Sequence, residues 1–145
     1  MKKVYLIRHG ESKGNESLIR LDRESDLTEK GERQSAYLAK RFRHIPIDYI
    51  LSSSMNRAKQ TAEIINAALK KPVKYSDLFI ERRRPSEEIG KSKNDPQSME
   101  IWKEIDKNFH VSEWHFSDEE NFEDLKSRAL KALDIITKQE ANEIL

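Results

Sequence analysis

Four apolar residues, Val4 to Ile7, run without a break into Arg8-His9-Gly10-Glu11-Ser12. Such a run ending in a polar, glycine-bearing loop reads as a buried strand with an arginine and a histidine at its carboxyl end. In an open α/β sheet that is where ligands bind. The chain beyond this loop keeps the same alternation. Thr28 reads as an N-cap with Glu29 and Glu32 in the first turn, and Ser35, Leu38, Ala39, Phe42 and Ile45 then form one helical stripe ending before Pro46. Ile47 to Ser52 reads as a second strand, and Ser52-Ser53-Ser54 as caps for a helix with Ala58, Thr61, Ala62, Ile65 and Leu69 on one face. Val73-Lys74-Tyr75 is a third strand. The order β-α-β-α-β argues for α/β architecture: a three-layer α/β/α domain with a mostly parallel central sheet.

The remaining segments are less regular. Leu18 to Glu24 is charged and irregular. Residues 82–116 depart from the sheet pattern: an arginine run (Arg82 to Arg84), a polar loop to Pro96, then Met99, Trp102, Ile105 and Phe109 at helical spacing. Long excursions of this kind are often lids or binding loops. A last helix runs from about Asn121 to Lys138 with Phe122, Leu125, Ala129, Leu133 and Ile136 as its apolar stripe. Glu143-Ile144-Leu145 begins another strand.

At 145 residues the chain is expected to be one domain, residues 1–145, with the 82–116 excursion inside it. The net charge is only +1, so neither a nucleic acid nor a membrane surface is an expected partner. There is no cysteine, which excludes disulfides and thiolate sites, and the four histidines are too scattered for a metal site. The apolar run after Met1-Lys2-Lys3 is too short for a signal peptide, so the cytoplasm is the expected location. A homo-oligomer is left open.

Arg8, His9, Asn15, Arg57 and Glu81 are the residues that could act together. Phosphoryl transfer needs a nucleophile in line with the leaving oxygen and fixed positive charge on the equatorial oxygens. A neutral histidine serves if its other ring nitrogen is anchored, and guanidinium forks match phosphate as lysine does not. Leu6-Ile7-Arg8-His9-Gly10-Glu11-Ser12 with Asn15, Asp26-Leu27-Thr28 with Gly31 and Gln34, and Ser52-Ser53 with Arg57-Ala58 and Gln60-Thr61-Ala62 stand in order. Together these blocks resemble the histidine phosphatase superfamily, which includes cofactor-dependent phosphoglycerate mutases and many small phosphatases. The likeness is clear over about residues 3–90.

The resemblance implies His9 as the phosphorylated nucleophile, Arg8, Asn15 and Arg57 as phosphate binders, and Glu81 as the general acid. It implies no cofactor and a small phosphorylated substrate. A carboxyl group protonating a leaving alcohol near neutrality needs a raised pKa. The arginines beside Glu81 work against that unless they point away, which keeps Glu87 and Glu88 open as alternatives. The resemblance also implies a second histidine after a late strand, whereas the chain holds only His9, His44, His110 and His115. The segment is therefore expected to be C-terminally incomplete, without its last strand and helix. It is expected to expose apolar surface, and to be inactive or nearly so if it ends at Leu145. The expected activity is phosphomonoester hydrolysis through a phosphohistidine. The alternatives are mutase-type phosphoryl transfer and a non-catalytic phosphate-binding module.

Overall fold

A computed structural model describes residues 1–17, 19–20 and 23–145; Leu18, Leu21 and Asp22 of the irregular stretch lie outside the described residues. In chain order the elements are β1 (Lys3–Val4), α1 (Lys13–Glu16), α2 (Glu29–Phe42), β2 (Ile50–Ser53), α3 (Asn56–Leu69), β3 (Val73–Ser76), α4 (Pro96–Asn108), α5 (Phe122–Lys138) and β4 (Glu143–Ile144). β1 pairs with β4 and β2 with β3, both in parallel, and a parallel bridge between Tyr49 and Ile144 joins the pairs. The sheet order is thus β1-β4-β2-β3, with the last strand in the chain placed inside the sheet. This is the parallel α/β architecture that the sequence implies.

Three of the four long helices, α2, α4 and α5, start where a side chain satisfies an orphan backbone amide. Thr28 Oγ1 accepts from Gly31 N at 3.1 Å at the head of α2. Asp95 and Asn121 do the same for α4 and α5. α3 differs from the sequence reading. Its N-cap is Met55 rather than a serine, because Ser53 Oγ accepts from Met55 N one step before the helix begins. α2 stops at Phe42, so Ile45, the last residue of the expected stripe, lies past its end together with His44.

Ala39 and Phe42 of α2, Ala62 and Ile65 of α3, and Ile47, Ile50 and Leu145 form the principal core, with Tyr5 edge-on to Phe42 at 5.8 Å. The first strand departs from its expected burial. Leu6 is 89% exposed, Val4 42% and Ile7 37%. Burial of a parallel strand requires a neighbour on each side, and β4 reaches only as far as Tyr5 on one edge and Leu51 on the other. Ahead of Leu145, between Leu6-Ile7 and Ser52-Ser53, lies an apolar cleft of about 430 Å³ whose wall includes Ile136 of α5 and His9. Apolar surface is thus exposed at this inner position of the sheet. Because Leu6 already faces solvent, Leu6→Lys should change the stability of this chain by less than about 0.5 kcal/mol. A urea titration with a larger loss would show that Leu6 is buried in solution.

α5 also presents a different face from the one its apolar stripe suggested. Ala132 is buried, with Leu125, Arg128 and Ile136 partly so, while Ala129 and Leu133 face solvent. The inward position that the stripe misses is held by Arg128.

Candidate active site at the carboxyl end of the first strand

The loop after β1 is fixed from three sides. Gly10 N donates to Thr61 Oγ1 of α3 at 3.1 Å, and Glu11 N donates to Gln34 Oε1 of α2 at 2.8 Å. Leu27 N donates to Gln60 Oε1 at 2.8 Å. The loop crosses α2 at two glycines: a Cβ on Gly10 would meet Gly31 O at 2.3 Å, and one on Gly31 would meet Glu11 O at 2.0 Å. Only hydrogen atoms fit at that crossing. Gln34, Thr61 and Gly31, which the sequence motifs contain, therefore hold the histidine-bearing loop, and Gln60 holds Leu27, which bridges to Ser12 at the end of that loop.

His9 is turned by its own loop. Its Nδ1 lies 2.7 Å from Gly10 O, a carbonyl that can only accept, so Nδ1 carries the proton and Nε2 holds the lone pair of the neutral ring. Arg57, 7% exposed at the head of α3, donates from Nε to His9 Nε2 at 3.2 Å. The histidine and arginine, 48 positions apart in sequence, thus meet at the nitrogen that would react.

Glu81 completes the cluster from the other side. Its Oε1 is 3.2 Å from His9 Nε2, and its Oε2 is 3.4 Å from Arg57 Nη2. When the His9 ring carries a proton on Nε2 as well, that contact, followed by the Arg57 charge, lowers the Glu81 pKa from 4.5 to about 2; when Nε2 holds its lone pair, Arg57 alone favours the carboxylate. With no ligand bound, Glu81 is therefore an ionised carboxylate, not the raised-pKa acid that catalysis calls for. Arg82 and Arg84 are not responsible. Arg82 turns onto Glu119 at 2.7 Å and over the Phe109 ring, and Arg84 stacks on Trp102. Because the folded pKa is depressed, the stability Glu81 contributes is complete above about pH 4.5 and is lost as pH falls toward 2. At 55% exposure that contribution is small. A phosphate dianion placed between His9 and Arg57 would displace this carboxylate and push its pKa up. An NMR titration should find the Glu81 carboxyl near 2 in the free chain and at least about one unit higher with saturating vanadate. An unmoved titration would contradict this.

The remaining candidates line a cationic cavity of about 600 Å³ adjoining this cluster, and Arg8 and Asn15 are on its wall. Asn15 Oδ1 accepts from Ser12 N and Oγ at the head of α1, and among the described residues no bond engages its amide N–H groups. Glu88 is buried against Arg20 and accepts from Trp102 Nε1 at 3.0 Å; neither it nor the exposed Glu87 contacts His9. His115 is exposed and paired with Asp124, and His110 is exposed beside Phe109 and Phe122. Among the described residues no cluster of His, Asp or Glu could hold a metal ion.

Residues 4–145 match the family model described as histidine phosphatase superfamily (branch 1). The chain belongs to that superfamily. A segment of 66 residues is 47% identical to "Probable phosphoglycerate mutase GpmB" of Cronobacter sakazakii, covering 45% of this chain and 31% of that relative. The chain thus matches about a third of the length of that curated relative. The fold is similar to that of Bacillus stearothermophilus YhfR (TM-score 0.82, 28% identity), covering 98% of this chain and 70% of YhfR. It is also similar to the alpha-ribazole phosphatase from Shigella flexneri (TM-score 0.82), where 21% identity over 98% of this chain and 71% of that one shows the fold alone.

In this superfamily member a further set of residues supports Glu81 from behind, and no sequence motif points to it. Arg128 on α5 donates from Nη1 to the carbonyls of Leu78 and Ile80 at 3.0 and 2.8 Å. It also donates from Nε and Nη2 to the two oxygens of Glu120, each at 2.6 Å. Glu120, 1% exposed, accepts in turn from Arg83 N, and Arg82 Nε donates to Glu120 O at 2.9 Å. The chain on both sides of Glu81 is thereby fastened to α5 and to the end of the excursion.

Proposed function

We propose that the chain is a phosphomonoesterase that works through a phosphohistidine on His9. The observation that supports this best is the 2.7 Å Nδ1 contact with Gly10 O, which aims an unprotonated Nε2 at the space shared by Arg57 and Glu81. In the first step the Nε2 lone pair attacks phosphorus and the P–O ester bond breaks, while Glu81 gives its proton to the departing alcohol oxygen. In the second step water attacks the phosphoryl group and Glu81 takes a proton from that water. The N–P bond then breaks to release orthophosphate and restore the lone pair. Arg8, Arg57 and the Asn15 amide bind the equatorial oxygens throughout.

Glu81 begins as a carboxylate, so its proton must arrive with the substrate. A phosphomonoester loses its second proton near about pH 6. The monoanion can pass that proton to Glu81 as it displaces the carboxylate from Arg57, which favours turnover on the acid side of neutrality. We further propose that a strand continuing β4 into the apolar cleft beside His9 supplies the second histidine that the resemblance implies. The absence of cysteine supports a reducing, cytoplasmic setting.

The GpmB relative supports a second reading, mutase-type transfer between two oxygens of one substrate. Incubation with 3-phosphoglycerate and a 2,3-bisphosphoglycerate primer separates the two. Release of inorganic phosphate is the result expected here, and formation of the isomeric phosphoglycerate without release would favour the mutase.

A further inference from the structure

We propose that Met55 is a site of oxidative modification: a peroxide converts its thioether to the sulfoxide, and the new oxygen draws the Arg57 guanidinium away from the phosphoryl group. The proposal rests on the reading of Arg57 as a phosphate binder and adds a means of regulating that site.

The first observation is a contact. Arg57 Nη2 donates to Met55 Sδ at 3.1 Å, while the same guanidinium meets His9 through Nε and Glu81 through Nη2. The sulfur thus stands one guanidinium away from the nitrogen that would be phosphorylated. Its place is set by the backbone. Met55 is the N-cap of α3; its amide donates to Ser53 Oγ at 3.3 Å, and its carbonyl accepts from Ala58 N and Lys59 N at 2.9 and 3.0 Å. A thioether is a weak acceptor, so a phosphate oxygen takes the Arg57 N–H from it readily.

The second observation is access. Met55 is half-buried and lies on the wall of both the cationic cavity and the apolar cleft, so a small oxidant reaches it from solvent. The chain has no cysteine, the side chain that peroxides ordinarily attack, and its other two methionines, Met1 and Met99, are on neither wall. With hydrogen peroxide, a sulfur lone pair attacks one peroxide oxygen. An S–O bond forms, the O–O bond breaks, the sulfur is oxidised by two electrons, and the other oxygen leaves as water. An oxygen added on the Arg57 side has no space within the 3.1 Å between sulfur and Nη2, so the guanidinium must move aside or turn onto it. Either sulfoxide epimer is polar and a far stronger acceptor than the thioether, and it competes with phosphate for the same N–H groups. A misplacement of about 1 Å in a catalytic site can cost about 100-fold in rate. Dedicated reductases return methionine sulfoxide to methionine, so the change is reversible.

The test treats the folded chain with hydrogen peroxide, removes the excess with catalase, and follows p-nitrophenyl phosphate hydrolysis beside peptide mass analysis of Met55 and Met99. The kcat/KM is expected to fall at least about 10-fold in step with the addition of one oxygen to Met55. Met55→Leu, which keeps similar volume without sulfur, should hold its own starting activity through the same treatment. Met99→Leu should lose as much as the starting chain. Vanadate affinity, measured by calorimetry once the peroxide is gone, gives a readout that needs no turnover. If no ester is hydrolysed but that affinity falls at least about 5-fold on oxidation of Met55, the phosphatase reading fails and the oxidative site stands. Met55 left unoxidised while Met99 is converted would overturn the proposal. So would an oxidised Met55 that changes both readouts by less than about 2-fold, or a Met55→Leu variant inactivated as fully as the starting chain.

Discussion

Replacing His9 by alanine is expected to end turnover, lowering kcat by at least about 10⁴-fold, as loss of a covalent nucleophile does. Arg57 and Glu81 contact His9 Nε2, and the loop is held through Gly10 N on Thr61 and Glu11 N on Gln34 independently of the imidazole. The variant should therefore fold and keep a phosphate site made of Arg8, Asn15 and Arg57. Steady-state hydrolysis of p-nitrophenyl phosphate together with vanadate binding measures both properties. An enzyme loses the first and keeps much of the second. A non-catalytic phosphate-binding module has no turnover to lose, and a variant that retained wild-type hydrolysis would remove His9 from the mechanism.

The largest expected effect on stability is that of Arg128→Met. Methionine fills similar volume but leaves the Glu120 carboxylate, 1% exposed, without the two 2.6 Å donors that neutralise it. Removing one partner of a buried ion pair costs about 3–5 kcal/mol, because the other charge stays behind. The carbonyls of Leu78 and Ile80 lose their donor as well. Chemical denaturation should show a loss of that size. The double variant Arg128→Met with Glu120→Gln should recover part of it, since the stranded charge is then gone. A loss below about 1 kcal/mol would mean that the pair is solvated. Glu81 stands between the anchored carbonyl of Ile80 and the anchored amide of Arg83, so the same variant should also slow hydrolysis.

The parts legible in the sequence were those governed by local rules. Helical spacing located α2 and α3, Thr28 marked a helix start, and alternation of strands with helices implied parallel pairing. The run Arg8-His9-Gly10 already placed a histidine at a strand end, and the companion motifs turned out to be its supports: Gly31 at the backbone crossing, with Gln34, Gln60 and Thr61 as hydrogen-bond acceptors.

What stayed hidden depends on partners distant in sequence. Val4, Leu6 and Ile7 are apolar enough for a core, but their burial is decided by how far β4, at the other end of the chain, extends beside them. Arg128, Glu119 and Glu120 read as solvated charges because hydropathy registers residue type and not the bonds each one makes. Their inward position shifted the buried face of α5 away from Ala129 and Leu133. The electrostatic state of Glu81 was equally out of reach. The neighbouring arginines in the chain turn aside, and it is His9 and Arg57, from two other elements, that keep it ionised.

A covalent phosphoryl group on His9 Nε2 is the centre of the proposed mechanism, and an experiment that traps it by rapid quenching tests it most directly. The chain is incubated with excess p-nitrophenyl phosphate at about pH 6 and quenched in alkali, which preserves phosphohistidine, then digested for peptide mass analysis. The predicted result is one added phosphoryl group on the peptide containing His9, absent in His9→Ala and labile on return to acid. Release of p-nitrophenol with no phosphate on that peptide, or an acid-stable phosphate on a serine or threonine, would contradict it.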